Sequence, residues 1–359
     1  MIKYIGSKRA LLGWILGTID KIHSQEKVAT VCDLFSGSGR VGHALKKRGY
    51  FIIANDLYTY AYTLALALIE ADWKDYSPSR IMPILEFLQS LSPKPGWFTQ
   101  TYCEKARYFQ PKNGARIEAI REEIELSYSD DPLLKAVLLT SLMLAADKVD
   151  STTGIQMAFL KEWAPRSYND LILEYPPLLP GKGKAFQADA TELVEQVEAD
   201  LFYIDPPYNQ HSYIGNYHVW ETLVLWDNPA TYGVAQKRVD VRRRASDFNS
   251  KRRAHEVFAD MISRIRAKHL VVSFNDEGYF TATEIEDILS EWGYVARLTR
   301  PHKRYIGAQI GIYNPKGELV GKVSHTTNHE FLFVATKSRN IFDTFNGEHS
   351  VKEQMSLFE

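Results

Sequence analysis

Apolar and polar positions along this chain repeat in two distinct periods, and the switches between them outline its elements. Continuous apolar runs at 28–35, 50–54 and 201–204 read as strands buried on both faces. Weaker strand signals follow at 184–187, 269–274, 294–299 and 330–335. Helical spacing covers about 40–48, then 60–71, 81–91, 116–126, 133–147 and about 255–268. Gly37-Ser38-Gly39 turns the first strand into its helix and Gly49 stops that helix, so the chain opens strand–helix–strand. Such an opening predicts an α/β fold with parallel strands and crossover helices. Roughly a hundred mostly helical residues then interrupt the sheet, bounded by Tyr175-Pro176-Pro177 and Pro180. The expected division is a sheet domain from 1–72 and 181–337, a helical insertion at 73–180 long enough to form its own domain, and a flexible tail at 338–359.

Bulk numbers narrow the class. With 45% hydrophobic and 24% charged residues among 359, the chain has the composition of a soluble globular protein. No apolar run reaches membrane-spanning length and Met1-Ile2-Lys3-Tyr4 does not begin a signal-peptide core, so a cytoplasmic protein is expected. Cys32 and Cys103 have neither disulfide nor metal spacing, and no His/Cys cluster accompanies His211 or His218, so no metal is expected. Net charge is −1, but 237–253 gathers Lys237, Arg238, Arg242, Arg243, Arg244, Lys251, Arg252 and Arg253 against only Asp240 and Asp247. That segment reads either as a phosphate-contacting surface or as a solvated face.

Two motifs carry chemistry. Asp205-Pro206-Pro207-Tyr208 ends an apolar strand and leaves a carboxylate, a rigid carbonyl and a flat ring at its carboxyl end, where open α/β sheets bind ligands. Those groups suit a planar ligand bearing an NH₂, although a plain strand-terminating turn uses the same residues. Gly37-Ser38-Gly39-Arg40-Val41-Gly42 fits the dinucleotide fingerprint, with Asp56 nineteen residues after Gly37. Asp33, four residues before the first glycine, argues against a pyrophosphate and for a cationic ligand such as S-adenosylmethionine, whose ribose hydroxyls Asp56 would accept.

Asp33-Leu34-Phe35-Ser36-Gly37-Ser38-Gly39 together with Asp205-Pro206-Pro207-Tyr208 resembles the S-adenosylmethionine-dependent adenine-N6 DNA methyltransferases, in particular their Dam-like (D12 class) subgroup. Lys3-Tyr4-Ile5-Gly6-Ser7-Lys8 is similar to the subgroup's N-terminal motif beside the cofactor. The resemblance covers most of 1–337 and is specific at these three motifs. It implies a Rossmann methyltransferase sheet, with seven strands and a reversed hairpin near 330–335, and a target-recognition insertion at 73–180. It implies cofactor contacts at Tyr4, Lys8, Asp33, Phe35, Gly37, Gly39, Asp56 and Asp189, with Asp56 on the ribose and Asp189 near the cofactor adenine. Asp205, Pro206, Pro207 and Tyr208 become the catalytic set.

The chemistry follows from the residues. Adenine N6 is a poor nucleophile, and acceptors at the Asp205 carboxylate and Pro206 carbonyl would localise its lone pair while Tyr208 stacks on a flipped base. The run from Asn209 to His218 would close over that base or fill the vacated stack, with a plain loop as the competing reading, whereas Trp220 and Glu221 read as core and cap. Arg242, Arg243, Arg244, Lys251, Arg252 and Arg253 are the expected phosphate contacts, joined by Arg300, Lys303 and Arg304. Expected partners are double-stranded DNA, a cognate restriction endonuclease and, through Gln354-Met355-Ser356-Leu357-Phe358, a sliding clamp; the tail packing back on the body is the competing reading. The protein is expected to act as a monomer. Competing functions are the same chemistry on RNA, a cytosine-N4 enzyme (against which Asp205 argues), a silent DNA-binding relative and an NAD dehydrogenase.

Overall fold

The continuous apolar runs become the middle of a seven-stranded sheet. The computed structural model describes residues 1–210, 212–303, 312–313, 319–321 and 327–346. Its sheet strands are β1 (Thr30–Asp33), β2 (Phe51–Asp56), β3 (Gly183–Gln187), β4 (Leu201–Ile204), β5 (His269–Asn275), β6 (Tyr294–Lys303) and β7 (Thr327–Thr336). Their order is β3-β2-β1-β4-β5-β7-β6. β3, β2, β1, β4 and β5 pair in parallel, and β7 runs antiparallel to both β5 and β6. The α/β methyltransferase-type sheet with a reversed last strand is therefore present as expected.

Alternate residues of each strand serve opposite layers. Cys32, Phe202, Ile204, Val272 and Phe274 face helices Ala254–Arg264 and Ala282–Trp292. Val31, Ala54, Tyr203, Val271 and Leu332 face helices Leu12–Gln25 and Arg40–Lys47. The helices at Leu12–Gln25 and Ala282–Trp292 were not expected from periodicity. The second does carry a readable start, since Thr281 and Glu284 form a reciprocal capping box.

The helix expected at 60–71 begins at Thr59 and widens after Ala65 into a π-turn at Leu66–Glu70. Its end is held from outside: Lys46 Nζ donates to the Ile69 and Ala71 carbonyls at 2.6 and 2.9 Å, and Ala185 N donates to Glu70 at 2.8 Å. The widened turn presses on β3 at Gly183, where a Cβ would lie 2.7 Å from the Ile69 carbonyl oxygen.

Within the insertion, Pro78–Ser90, Pro111–Tyr128 and Pro132–Lys148 each start on proline, which fits the first helical turn because it lacks the N–H that turn leaves unpaired. They do not close a core of their own. Tyr102, Ile120, Leu138 and Leu142 share one cluster with Tyr60, Leu64 and Leu68 after β2, and with Trp220 and Leu223 of helix His218–Leu225. The reason is visible in Pro132–Lys148, whose residues from Ala136 to Met143 are all buried. A helix apolar all round needs neighbours on every side.

The tail departs from expectation as well. Residues 339–346 are helical, and Ile341 and Phe345 are buried against the layer that covers Val31 and Leu332. Two apolar residues four apart make one helical face even in polar text. Ile341→Ala is expected to cost about 2–5 kcal/mol of unfolding free energy in urea titration. A change below about 0.5 kcal/mol, within the range of surface substitutions, would show that this helix is not part of the fold.

Candidate active site

The strand order reverses between β1 and β4, and the site lies at the carboxyl ends of those two strands. Their register sets Asp33 beside Tyr203, two residues before Asp205. A cleft of about 790 Å³, partly open to solvent, occupies this corner. Of the residues singled out from sequence, Tyr4, Lys8, Asp33, Phe35, Gly37, Asp56, Asp189, Asp205 and Pro207 line it. Gly39, Pro206 and Tyr208 stand just outside that lining. Gly39 starts helix Arg40–Lys47 with φ 72°, a left-handed conformation that glycine adopts freely.

The glycine loop is shaped by what presses on it. A Cβ on Gly37, whose φ is 51°, would lie 2.9 Å from the Tyr4 ring. A Cβ on Gly42 would lie 3.0 Å from Asp33 Oδ2, the atom that accepts the Gly42 N–H at 2.9 Å. The third glycine of the fingerprint thus lets helix Arg40–Lys47 bond to the Asp33 carboxylate. Asp56 Oδ2 accepts the Gly37 N–H at 2.9 Å and Oδ1 the Tyr58 N–H at 3.1 Å. Asp189 Oδ1 caps the short helix Ala190–Leu193 through the N–H and hydroxyl of Thr191.

Charge in the cleft is predominantly negative. Burial pushes Asp33 up to about 7, against the Gly42 hydrogen bond and with help from Asp205 and Asp56. Burial likewise lifts Asp56 to about 6, against N–H bonds from Tyr58 and Gly37. Asp205 is raised by burial and held back by Lys8. Desolvated carboxylates around one space favour a cationic guest and oppose a pyrophosphate.

Asp205 Oδ1 lies 3.0 Å from Lys8 Nζ, as a charge pair without good hydrogen-bond alignment. The Tyr208 hydroxyl accepts from Asn275 Nδ2 at 3.1 Å, and its ring packs on Phe274 with centroids 5.6 Å apart. Tyr208 O accepts the Tyr279 N–H at 2.8 Å, so the tetrapeptide is fixed to the end of β5. The N-terminal motif is fixed by ring stacking: Tyr4 lies between Tyr213 and Tyr217, at 5.3 and 4.6 Å.

The basic segment serves several purposes. Arg238 is buried between Asp227 and Asp240. Arg244 turns inward to the fully buried Glu221 carboxylate, which also accepts the Thr59 and Tyr60 N–H bonds that open helix Thr59–Ala65. Glu221 is thus a cap supplied from a distant part of the chain. Arg253 pairs with Asp247 at 2.7 Å on the surface, and Arg242, Arg243, Lys251, Arg252 and Arg300 are exposed. Ser246 and Phe248 of the same segment line the cleft, with Phe248 edge-on to Phe35 at 5.3 Å. Neither was singled out from sequence, although an aromatic inside a basic run was the available signal. Tyr203, also missed, faces the cleft from β4 in a strand read only as core. His218 is buried against Gln156 and depressed to about 3 by burial, so it is neutral. His211, Arg304 and Gln354 to Phe358 lie outside the described residues. Among the described residues, no group of three or more His, Cys, Asp or Glu side chains could hold a metal, and no helix could cross a membrane.

Comparison with known proteins places this geometry. The family model of the D12 class N6 adenine-specific DNA methyltransferases matches residues 4–287. The chain belongs to this family. It is similar to the type II methyltransferase M.NlaIII of Neisseria lactamica, with 31% identity over 92% of this chain and 100% of that protein. It is 31% identical to M.CviAII of Paramecium bursaria Chlorella virus 1, over 85% of this chain and 92% of the relative. It is 33% identical to the modification methylase StsI of Streptococcus sanguinis over 85% of this chain, but spans only 49% of that protein. As a member of a methyltransferase family, the chain is expected to use its cleft for a methyl donor.

The raised Asp33 gives a sign that can be checked. The folded protein holds a proton there between about pH 4 and 7 that the unfolded chain releases, so its stability falls as pH rises through that window. Asp33→Asn is expected to melt higher than wild type at pH 8, with the advantage gone below about pH 4. Equal melting temperatures at pH 8 would contradict a desolvated Asp33.

Proposed function

We propose that the chain is a sequence-specific DNA adenine-N6 methyltransferase, using S-adenosylmethionine on an adenine flipped out of the duplex. The observation that carries this reading is the Asp205–Tyr208 turn beside a carboxylate-lined cleft at the sheet's switch point. S-adenosylmethionine, when bound, supplies a methyl group made electrophilic by its sulfonium. In this reading Asp33 offsets the cationic end of that cofactor, Asp56 accepts from its ribose, Asp189 lies near its adenine, and Phe35 with Phe248 bounds its ring. The donor set fits: carboxylates and aromatic faces suit a cationic, phosphate-free nucleoside.

Asp205 and the Pro206 carbonyl take the two N–H bonds of the target amine, which holds its lone pair towards the methyl donor and stabilises the charge that grows on nitrogen. The Asp205 carboxylate, raised by burial, then accepts the surplus proton. Tyr208 stacks on the base and offsets part of the few kcal/mol that flipping costs. The helical body at 73–180 reads the recognition sequence, and Arg242, Arg243, Lys251, Arg252 and Arg253 track phosphates. The similarity to type II methyltransferases supports a protective role beside a restriction endonuclease. The protein is proposed to act as a monomer. Gln354-Met355-Ser356-Leu357-Phe358 is proposed to dock on a sliding clamp, which a clamp pull-down of full-length protein against a chain ending at Ser350 tests.

Transfer of labelled methyl to unmethylated duplex DNA, with N6-methyladenine as product, tests the reading; label appearing only in RNA or on cytosine would overturn it. Asp205→Ala is expected to retain cofactor binding by calorimetry yet abolish transfer, and a fully active variant would contradict the assigned chemistry. Replacing Arg242 and Arg243 by alanine should reduce the salt slope of DNA binding by about one unit per lost contact. Arg244→Ala should instead lower the melting temperature, because it leaves Glu221 as a buried charge without its arginine. An unchanged slope for the first variant would assign that surface to solvent.

A further inference from the structure

Lys8 stands where the reaction needs something else. Its backbone is held with φ 28° and its N–H bonds to the Gly6 carbonyl at 2.7 Å, which aims the side chain inward. The side chain is only 6% exposed, with its ammonium 3.0 Å from Asp205 Oδ1 and 5.6 Å from the centre of the Tyr208 ring. A nitrogen bearing N–H bonds, against that carboxylate and over that ring, has two of the contacts assigned above to the target adenine, the Asp205 carboxylate for its amine and the Tyr208 ring for its face. An ammonium left beside an amine that is gaining positive charge would oppose methyl transfer, since both would lie within contact distance of the one largely buried carboxylate.

We propose that Lys8 is a placeholder for the target amine: without DNA its ammonium holds the Asp205 carboxylate, and an incoming adenine displaces it into the open part of the cleft. The inference rests on the adenine-methylation reading and adds an exchange step to it. It explains why a carboxylate can wait in a desolvated pocket without its substrate. Lys8, Asp33, Tyr203, Tyr208 and Tyr213 all act on Asp205 or are acted on by it, and Glu330 acts on Lys8 from β7. Of these groups Lys8 is the cation, so its loss leaves Asp205 among acids and phenols, and Asp205 then takes up a proton more readily.

Two measurements test the exchange. In wild-type protein, acetylation of Lys8 by a pulse of acetic anhydride, read by mass spectrometry, should run several-fold faster with 9-methyladenine bound than without it. Equal or slower labelling would overturn the proposal, and this test does not depend on any variant folding. In labelled methyl transfer to unmethylated DNA, Lys8→Met should move the acid limb of the kcat/KM profile up by about 1–3 pH units, while Lys8→Arg keeps it in place. A Lys8→Met enzyme that loses activity evenly at every pH would reduce Lys8 to a structural prop. A wild-type enzyme that transfers no methyl to adenine would defeat the underlying reading itself; an active one with an unmoved limb defeats only the placeholder.

Discussion

The parallel pairing of β1 with β4 is the constraint on which the rest depends. It sets the Asp33 and Asp205 strand ends side by side at one corner of the sheet, and each carboxylate is desolvated there. Burying a carboxylate is unfavourable, so each is met by a specific partner: the Gly42 N–H for Asp33 and the Lys8 ammonium for Asp205. The third fingerprint glycine and the inward turn of the N-terminal motif follow from those two requirements. A cleft built this way favours a positively charged guest on one side and a nitrogen donor on the other. Methyl transfer from a sulfonium to an amine joins two such partners.

The second organising contact is less local. Glu221, fully buried, caps helix Thr59–Ala65 and pairs with Arg244, so one carboxylate ties three stretches of chain together. The Tyr4 ring does similar work between the glycine loop and the stretch that follows the tetrapeptide. Because the helical body shares its core with helices Thr59–Ala65 and His218–Leu225, a body that reads DNA would be mechanically continuous with the catalytic corner.

Much of this was legible in the sequence. The buried strands announced themselves as apolar runs, and Asp33, the glycines and Asp205 to Tyr208 carry their chemistry in short motifs. What stayed hidden depends on tertiary context. The core that 73–180 shares with helices Thr59–Ala65 and His218–Leu225 was not legible, because the buried run of Pro132–Lys148 says burial without saying against what. The π-turn at Leu66–Glu70 depends on Lys46 and Ala185 from elsewhere in the chain. Arg244 looked like its neighbours until Glu221 gave it an inward partner. Phe248 was masked by the charges around it, and helix 339–346 by polar text around two buried side chains.

The central claim is that this corner methylates adenine in DNA. Methylation-sensitive sequencing of DNA from cells expressing the intact chain tests it most directly. The account predicts N6-methyladenine at one defined sequence, absent from cells expressing the Asp205→Ala chain. Soluble, folded protein that leaves every adenine unmodified, or that places methyl groups on cytosine, would contradict it.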